Sequence, residues 1–212
     1  MKIDSKPQFF KVPFSQFEKD WIKLYQTKSH IYGATNLTQD KLFQLYNSIE
    51  LPTRSTYGSA GYDFKAPFGF SLLEGDSMVI PTGIRCFMPS DMVLLLMPRS
   101  GQGFKYRLRE ANTIGVIDSD YFNADNSGHI MVKLVNEGLH TIERVSHLTE
   151  SQNDWYFDTS VDREFSGPFA CNHGDKFIQG IFINYGKITN DEKTSLTKRK
   201  GGMGSTNTNK EN

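Results

Sequence analysis

Two cysteines in 212 residues, Cys86 and Cys171, are too few and too far apart for a C-x-x-C zinc site or redox dithiol, so free buried thiols in a reducing compartment are expected. Net charge is missing too. With 24 basic side chains against 24 acidic ones, the whole chain has no field for holding a polyanion, and direct nucleic-acid binding is not expected. No apolar run approaches the ~20 residues needed to span a bilayer, and the opening MKIDSKPQFFKVPF lacks the apolar stretch of a secretory leader. The expectation is a cytoplasmic protein without a membrane partner. None of the five histidines has a second ligand at metal-binding spacing, so His129, His140, His147 and His173 read as ordinary polar residues. A nucleophile triad is likewise unsupported.

What the chain does have is aromatic mass. Sixteen Phe and nine Tyr offset a modest hydrophobic content of 37%, which makes one compact core feasible and excludes wholesale disorder. Between Phe14 and Ser48 the period is helical. Phe17, Trp21, Leu24 and Tyr25 share one face, Ser15 and Glu18 have the spacing of a capping box, Thr38 can cap a second helix, and residues 32–36 supply the turn between them.

From Leu51 onward short apolar runs alternate with Gly, Pro, Asn and Asp, the pattern of an antiparallel sandwich or barrel. Strands are expected at Phe68 to Leu73, Ser77 to Met88, Met92 to Met97, Ile114 to Ile117, His129 to Val135 and Lys176 to Ile183. In the clearest of them Ile130, Val132 and Leu134 face one way and Met131, Lys133 and Val135 the other. The expected organisation is all-β. Residues 1–189 form a single domain carrying a helical insertion at about 14–48 and a loop-rich insertion at about 136–172, and residues 190–212 form a mobile C-terminal arm.

Three segments carry chemistry. In Gly115-Val116-Ile117-Asp118-Ser119-Asp120-Tyr121 two carboxylates and a phenol follow an apolar strand, where an Asp can serve as general base; alone, the run reads as well as an Asx-rich turn. Pro98-Arg99-Ser100-Gly101 ends a strand with a guanidinium, a hydroxyl and an unobstructed amide, a set suited to phosphate oxygens. Lys198-Arg199-Lys200-Gly201-Gly202-Met203-Gly204-Ser205-Thr206 joins three cations to a glycine loop; it is not a Walker sequence, and a basic disordered tail is its plain alternative.

Taken in order, these segments resemble the motifs of the homotrimeric dUTPase family, of the bacterial or phage type with insertions. Ser59-Ala60-Gly61-Tyr62-Asp63-Phe64 is similar to the first motif, Pro98 to Gly101 to the second and Gly115 to Tyr121 to the third. Gly174-Asp175-Lys176-Phe177-Ile178-Gln179 is similar to the fourth, and Arg199 to Thr206 to the fifth. The resemblance spans roughly Leu51 to Asn207, with a first strand near Phe9 to Pro13.

It implies a jelly-roll (β-clip) subunit in a homotrimer, with each site built from three chains and closed by the C-terminal arm. It also implies a Mg2+-dependent reaction, dUTP to dUMP and pyrophosphate. By the same resemblance Asp118 activates the water that attacks the α-phosphorus, and Tyr121 packs under the deoxyribose. Asn112 and the backbone of Val116 and Ile117 bond the uracil edge, and Met131 lines the pocket. Arg99, Ser100 and Gly101 hold phosphates, Gln179 bonds a phosphate or ordered water, and Asp63 anchors the hydration shell of Mg2+. Arg199, Met203, Gly204, Ser205 and Thr206 close over the substrate.

Departures from the pattern are informative. Met203 stands where the family has a phenylalanine to stack on the base, so it can cover the ring without an aromatic face. The motif's arginine falls at Arg199 or Lys198, depending on how many residues separate it from the glycines. Two other readings compete. A dCTP deaminase needs a glutamate in the strand after the third motif, where this chain has Lys133. A dUTPase-like regulatory protein would use the insertions to bind a partner protein, beside catalysis or in place of it.

Overall fold

The computed structural model describes residues 6–26, 37–138, 141–151, 154–164 and 168–188. After strand β1 (Gln8–Lys11), helix α1 (Phe14–Trp21) runs into a π-helical turn at Ile22–Gln26, and α2 (Gln39–Ser48) follows. Ser15 and Glu18 form no capping box. Pro13 takes the cap position and its carbonyl accepts from the Gln16 and Phe17 amides at 3.0 and 3.1 Å, so the helix starts two residues too early for Ser15 to cap it. Thr38 does cap α2, its hydroxyl accepting from the Lys41 amide at 3.4 Å. The two helices run in opposite directions: Phe14 packs on Phe43 and Tyr46, while Gln39 bonds Glu18 at the other end. The turn expected at residues 32–36 lies outside the described residues.

The rest is mostly β. The strands are β2 (Thr53–Arg54), β3 (Tyr62–Lys65), β4 (Phe70–Leu72), β5 (Ser77–Pro81), β6 (Ile84–Phe87), β7 (Met92–Pro98) and β8 (Leu108–Glu110). They continue with β9 (Gly115–Asp118), β10 (Met131–Asn136), β11 (Thr141–Ser151), β12 (Asp154–Glu164), β13 (Phe169–Cys171) and β14 (Lys176–Asn184). A short helix α3 (Ser100–Tyr106) and a 3-10 turn (Ser119–Asn123) complete the described elements. All pairings among them are antiparallel, with a main sheet in the order β2-β3-β14-β7-β9 and a second sheet in the order β5-β10-β8.

Burial follows the period-2 pattern. Ile130, Val132 and Leu134 are fully buried, and Asn136 extends that face inward by donating to the Leu72 carbonyl at 3.0 Å. The run from Ser77 to Met88 breaks into two strands at Gly83, whose φ of +72° needs a residue without Cβ.

Aromatic rings join the layers. Phe17 stands fully buried between Trp21, Tyr46 and His129, and Phe70 bridges Phe68, Phe169 and Phe177. Cys86 and Cys171 are free and buried, as the sequence implied.

A further expectation is corrected. The excursion at 136–172 is not loop-rich: β11 and β12 pair along their whole length, from Thr141 opposite Glu164 to Ser151 opposite Asp154. Their Ile, Val, Thr, Trp, Tyr and Phe favour strand, while interspersed charges hide the alternation that marks a half-buried strand. No helix among the described residues is long and apolar enough to cross a membrane.

Candidate functional site

Two groups of the residues singled out above assemble, at opposite ends of β7. At its C-terminal end, Pro98 leads into Arg99, the cap residue of α3, with Ser100 and Gly101 as the first residues of that helix. Register places Gln179 of β14 between Asp63 of β3 and Met97 of β7. Asp63 is 6% exposed and collects three partners: Arg99 Nε at 3.1 Å, Lys176 Nζ at 3.0 Å and the Ser55 hydroxyl at 2.5 Å. Burial pushes its carboxyl upward. The bonds from Ser55 and Lys176 and the charges of Arg99 and Lys176 outweigh that and hold it below the ordinary carboxylate value.

Gln179 donates to the Pro98 carbonyl at 3.2 Å, and its amide oxygen fills the space a side chain on Gly61 would need. Gln102 of α3 donates to the Lys176 carbonyl at 3.0 Å. Beside Arg99 and Lys176 opens a polar hollow of about 430 Å³, lined also by Gln102, Gly174 and Asp175. Its two cations suit an anionic ligand.

The other group lies at the far end. Asp118 closes β9 opposite Val93 of β7, so that six residues of extended strand, about 20 Å, separate it from Arg99. Asp118 is exposed and Val116 is 57% exposed, whereas Ile117 turns inward. Within the sheet as described β9 is an edge strand, so one side of its backbone faces away from the sheet, where a planar ligand edge can pair with it. Asn112 sits in the turn ahead of β9, next to Thr113, whose φ of +67° is costly for a β-branched residue. Thr113 and Ile114 are tied to Glu110 and Asn112 by backbone bonds of 2.9 and 2.7 Å.

Tyr121 is 2% exposed; its hydroxyl donates to the His129 carbonyl at 2.9 Å and accepts from Asn126 Nδ2 at 2.7 Å. Met131 opens β10 opposite Pro81 and is half-buried. Arg199, Met203, Gly204, Ser205 and Thr206 lie outside the described residues.

Asp63 does not fit as a direct metal ligand, because its oxygens already face two cations and a hydroxyl. Among the described residues no group of three or more His, Cys, Asp or Glu lies close enough to hold a metal ion.

Several residues of this neighbourhood had no role in the sequence reading. Lys176 reaches Asp63 from a distant stretch and Ser55 from eight residues before it; the G-D-K run that contains Lys176 was the available signal, while Ser55 gave none. Glu110 is 2% exposed, accepts from the Gly115 amide and leaves Oε2 without a partner. Burial raises its carboxyl to about 7, against the opposing pull of that amide. His129 is no ordinary polar residue: it is fully buried and bonded to Asp20 at 2.7 Å, across a sequence separation that hides the pairing.

A dUTPase family model matches residues 47–145. The chain is 33% identical over 159 residues to the deoxyuridine 5'-triphosphate nucleotidohydrolase of Lactococcus lactis subsp. lactis, covering 74% of this chain and 88% of that protein. It is 38% identical over 161 residues to the nucleotidohydrolase of the same description from Mannheimia succiniciproducens, covering 74% and 85%. Among solved structures it is similar to the dUTPase from Streptococcus mutans, with 26% identity, a TM-score of 0.49 and coverage of 73% of this chain and 94% of that one.

Proposed function

This chain belongs to the dUTPase family and hydrolyses dUTP, and we propose that it does so at sites shared between the subunits of a homotrimer. The observation that carries this reading is the distance along β7. The base candidate Asp118 and the phosphate-binding candidate Arg99 stand about 20 Å apart in one chain, too far to act on one triphosphate, and a threefold arrangement brings the Asp118 end of one subunit to the Arg99 end of the next.

In this reading the Asn112 side chain and the backbone of Val116 and Ile117 bond the uracil edge. Met131 lines the pocket and Tyr121 packs beneath the deoxyribose. A cytosine would leave the same groups unpaired. Arg99, the Ser100 hydroxyl and the Gly101 amide bind phosphate oxygens, with Gln179 beside them, and Asp63 keeps the Arg99 guanidinium in place. Asp118 takes a proton from a water as its oxygen bonds the α-phosphorus; the bond from that phosphorus to the bridging oxygen breaks, and dUMP and pyrophosphate leave.

Arg199, Ser205 and Thr206 reach the γ-phosphate from the C-terminal arm, with Met203 and Gly204 over the base. Magnesium, when bound, would supply charge neutralisation on the triphosphate, and Asp63 would act toward it only through water. The jelly-roll subunit, its helical insertion at 14–48, the single unit over 1–189 with its arm, and action in the cytoplasm belong to the same reading.

The test is pyrophosphate release by the purified protein with Mg2+, comparing dUTP with dCTP, dTTP and UTP, together with subunit mixing. Asp118→Asn and Arg99→Ala proteins are each expected to be inactive, while unfolding and refolding them together restores about a quarter of wild-type activity, since sites with both halves intact then form by chance. Mixtures that stay inactive overturn the shared site. Ammonia release from dCTP without pyrophosphate release from dUTP overturns the reaction.

A further inference from the structure

Helix α1 lies outside the stretch matched by the family model, and yet it reaches the candidate sugar-binding residue through an unbroken line of polar contacts. Asp20, on its buried face, accepts from His129 Nδ1 at 2.7 Å and from Gln16 Nε2 at 2.9 Å. The other ring nitrogen of His129, Nε2, accepts from the Gly83 amide at 2.9 Å. An amide donor on Nε2 requires a lone pair there, so the ring hydrogen sits on Nδ1 and points at Asp20, an assignment made from the bonding partners. Both nitrogens are therefore committed, and the ring is further packed by Phe17.

The carbonyl of the same residue accepts from the Tyr121 hydroxyl at 2.9 Å and from Asn126 at 3.2 Å. With His129 fully buried and Asp20 8% exposed, water does not compete for these bonds. Burial pushes the Asp20 carboxyl up, but the hydrogen bonds from His129 and Gln16, with the charge of Lys23, hold it below its ordinary value, so it stays an acceptor.

We propose that Asp20, acting through His129, is a positioning residue for Tyr121, which makes helix α1 a determinant of the discrimination between deoxyribose and ribose. The proposal rests on the reading that Tyr121 packs beneath the sugar. A ring that excludes a 2′-hydroxyl by contact must be held to a fraction of an ångström. Its hydroxyl is anchored on the His129 carbonyl and on Asn126, which bonds the same carbonyl, and that carbonyl belongs to a residue whose side-chain orientation comes from α1. Loosening Asp20 lets the His129 backbone and the Tyr121 ring shift, and a ribonucleotide gains more from the slack than a deoxyribonucleotide does.

The experiment compares kcat/KM for dUTP and UTP in the full-length protein. Asp20→Ala is expected to lower the dUTP-to-UTP preference about tenfold, the scale of one lost buried hydrogen bond. Asp20→Asn, which keeps an oxygen facing Nδ1, restores most of that preference. Gln16→Ala, at a half-buried position, shifts it in the same direction by about threefold and keeps the test open if Asp20→Ala does not fold. Tyr121→Phe shifts the preference as well, and combining it with Asp20→Ala adds little further, because both act on one ring.

A merely structural Asp20 would lower thermal stability and reduce both rates in proportion, leaving the preference where it was; that result overturns the proposal. If Tyr121→Phe and Tyr121→Ala both leave the preference unchanged, the reading of Tyr121 fails first, and the proposal fails with it.

Discussion

Asp63 and Arg99 form an ion pair of 3.1 Å in which the acid is almost entirely buried and the base is 38% exposed. The carboxylate is thus the fixed partner, and the guanidinium is the part left facing the polar hollow. Asp63→Asn removes the charge that orients Arg99 and Lys176, so KM for dUTP is expected to rise about tenfold with a smaller change in kcat, the sign of lost uniform binding. Steady-state kinetics separate the two. The pair is screened on its exposed side, so its part in stability is modest. Because the folded value of Asp63 lies below the ordinary one, that part is present above about pH 4 and is lost as pH falls through the lower, folded value.

Asp118→Asn changes an exposed side chain at the end of β9. Turnover of dUTP is expected to fall by about 10²- to 10⁴-fold, the range for a lost general base. Thermal unfolding should match the wild type, which separates a chemical defect from a folding one.

Glu110 sets an opposite pH dependence. Its folded carboxyl titrates near 7 and its unfolded one near 4.5, so between those values the folded state holds the extra proton. Stability is therefore greatest below about pH 4.5 with respect to this group and declines as pH rises through 7, by up to about 3 kcal/mol. Glu110→Gln is expected to remove that decline. Urea unfolding at pH 5 and pH 8, at one protein concentration, measures the difference.

Phe17 pins α1 to the sheets from a fully buried position against Trp21, Tyr46 and His129. Phe17→Ala is expected to cost about 3–5 kcal/mol. The urea midpoint reads the loss, and the same cavity should loosen the packing of the His129 ring.

Much of this was legible in the residues, and each exception has a physical cause. Period-2 burial in Ile130, Val132 and Leu134 and the apolar face of α1 are strictly periodic signals that both appear in the structure, and the first three motifs lie within the residues the family model matches. The Ser55–Asp63–Lys176 and Asp20–His129 pairings join stretches up to 121 residues apart, and spacing carries no trace of such contacts. The β11–β12 hairpin was missed because period reading needs one apolar face, and its sequence mixes charge with β-branched and aromatic residues along both strands. Helix α3 was missed because two glycines in Ser100–Tyr106 argue against a helix by propensity; the turn forms where Arg99 caps it and Gln102 and Lys176 tie it down.

The two thiols give the molecule a clock. Burial raises Cys86 and Cys171 to about 12, with Asp175 adding to the rise at Cys171, so at neutral pH almost no thiolate is presented while the fold is closed. Alkylation must then wait for β6 or β13 to come away from its neighbours. Under excess reagent the labelling rate of each cysteine, resolved by mass spectrometry, times the opening of the sheet region that holds it. Substrate that braces the closed form should slow both clocks, and any difference between their rates ranks β6 against β13 in order of release.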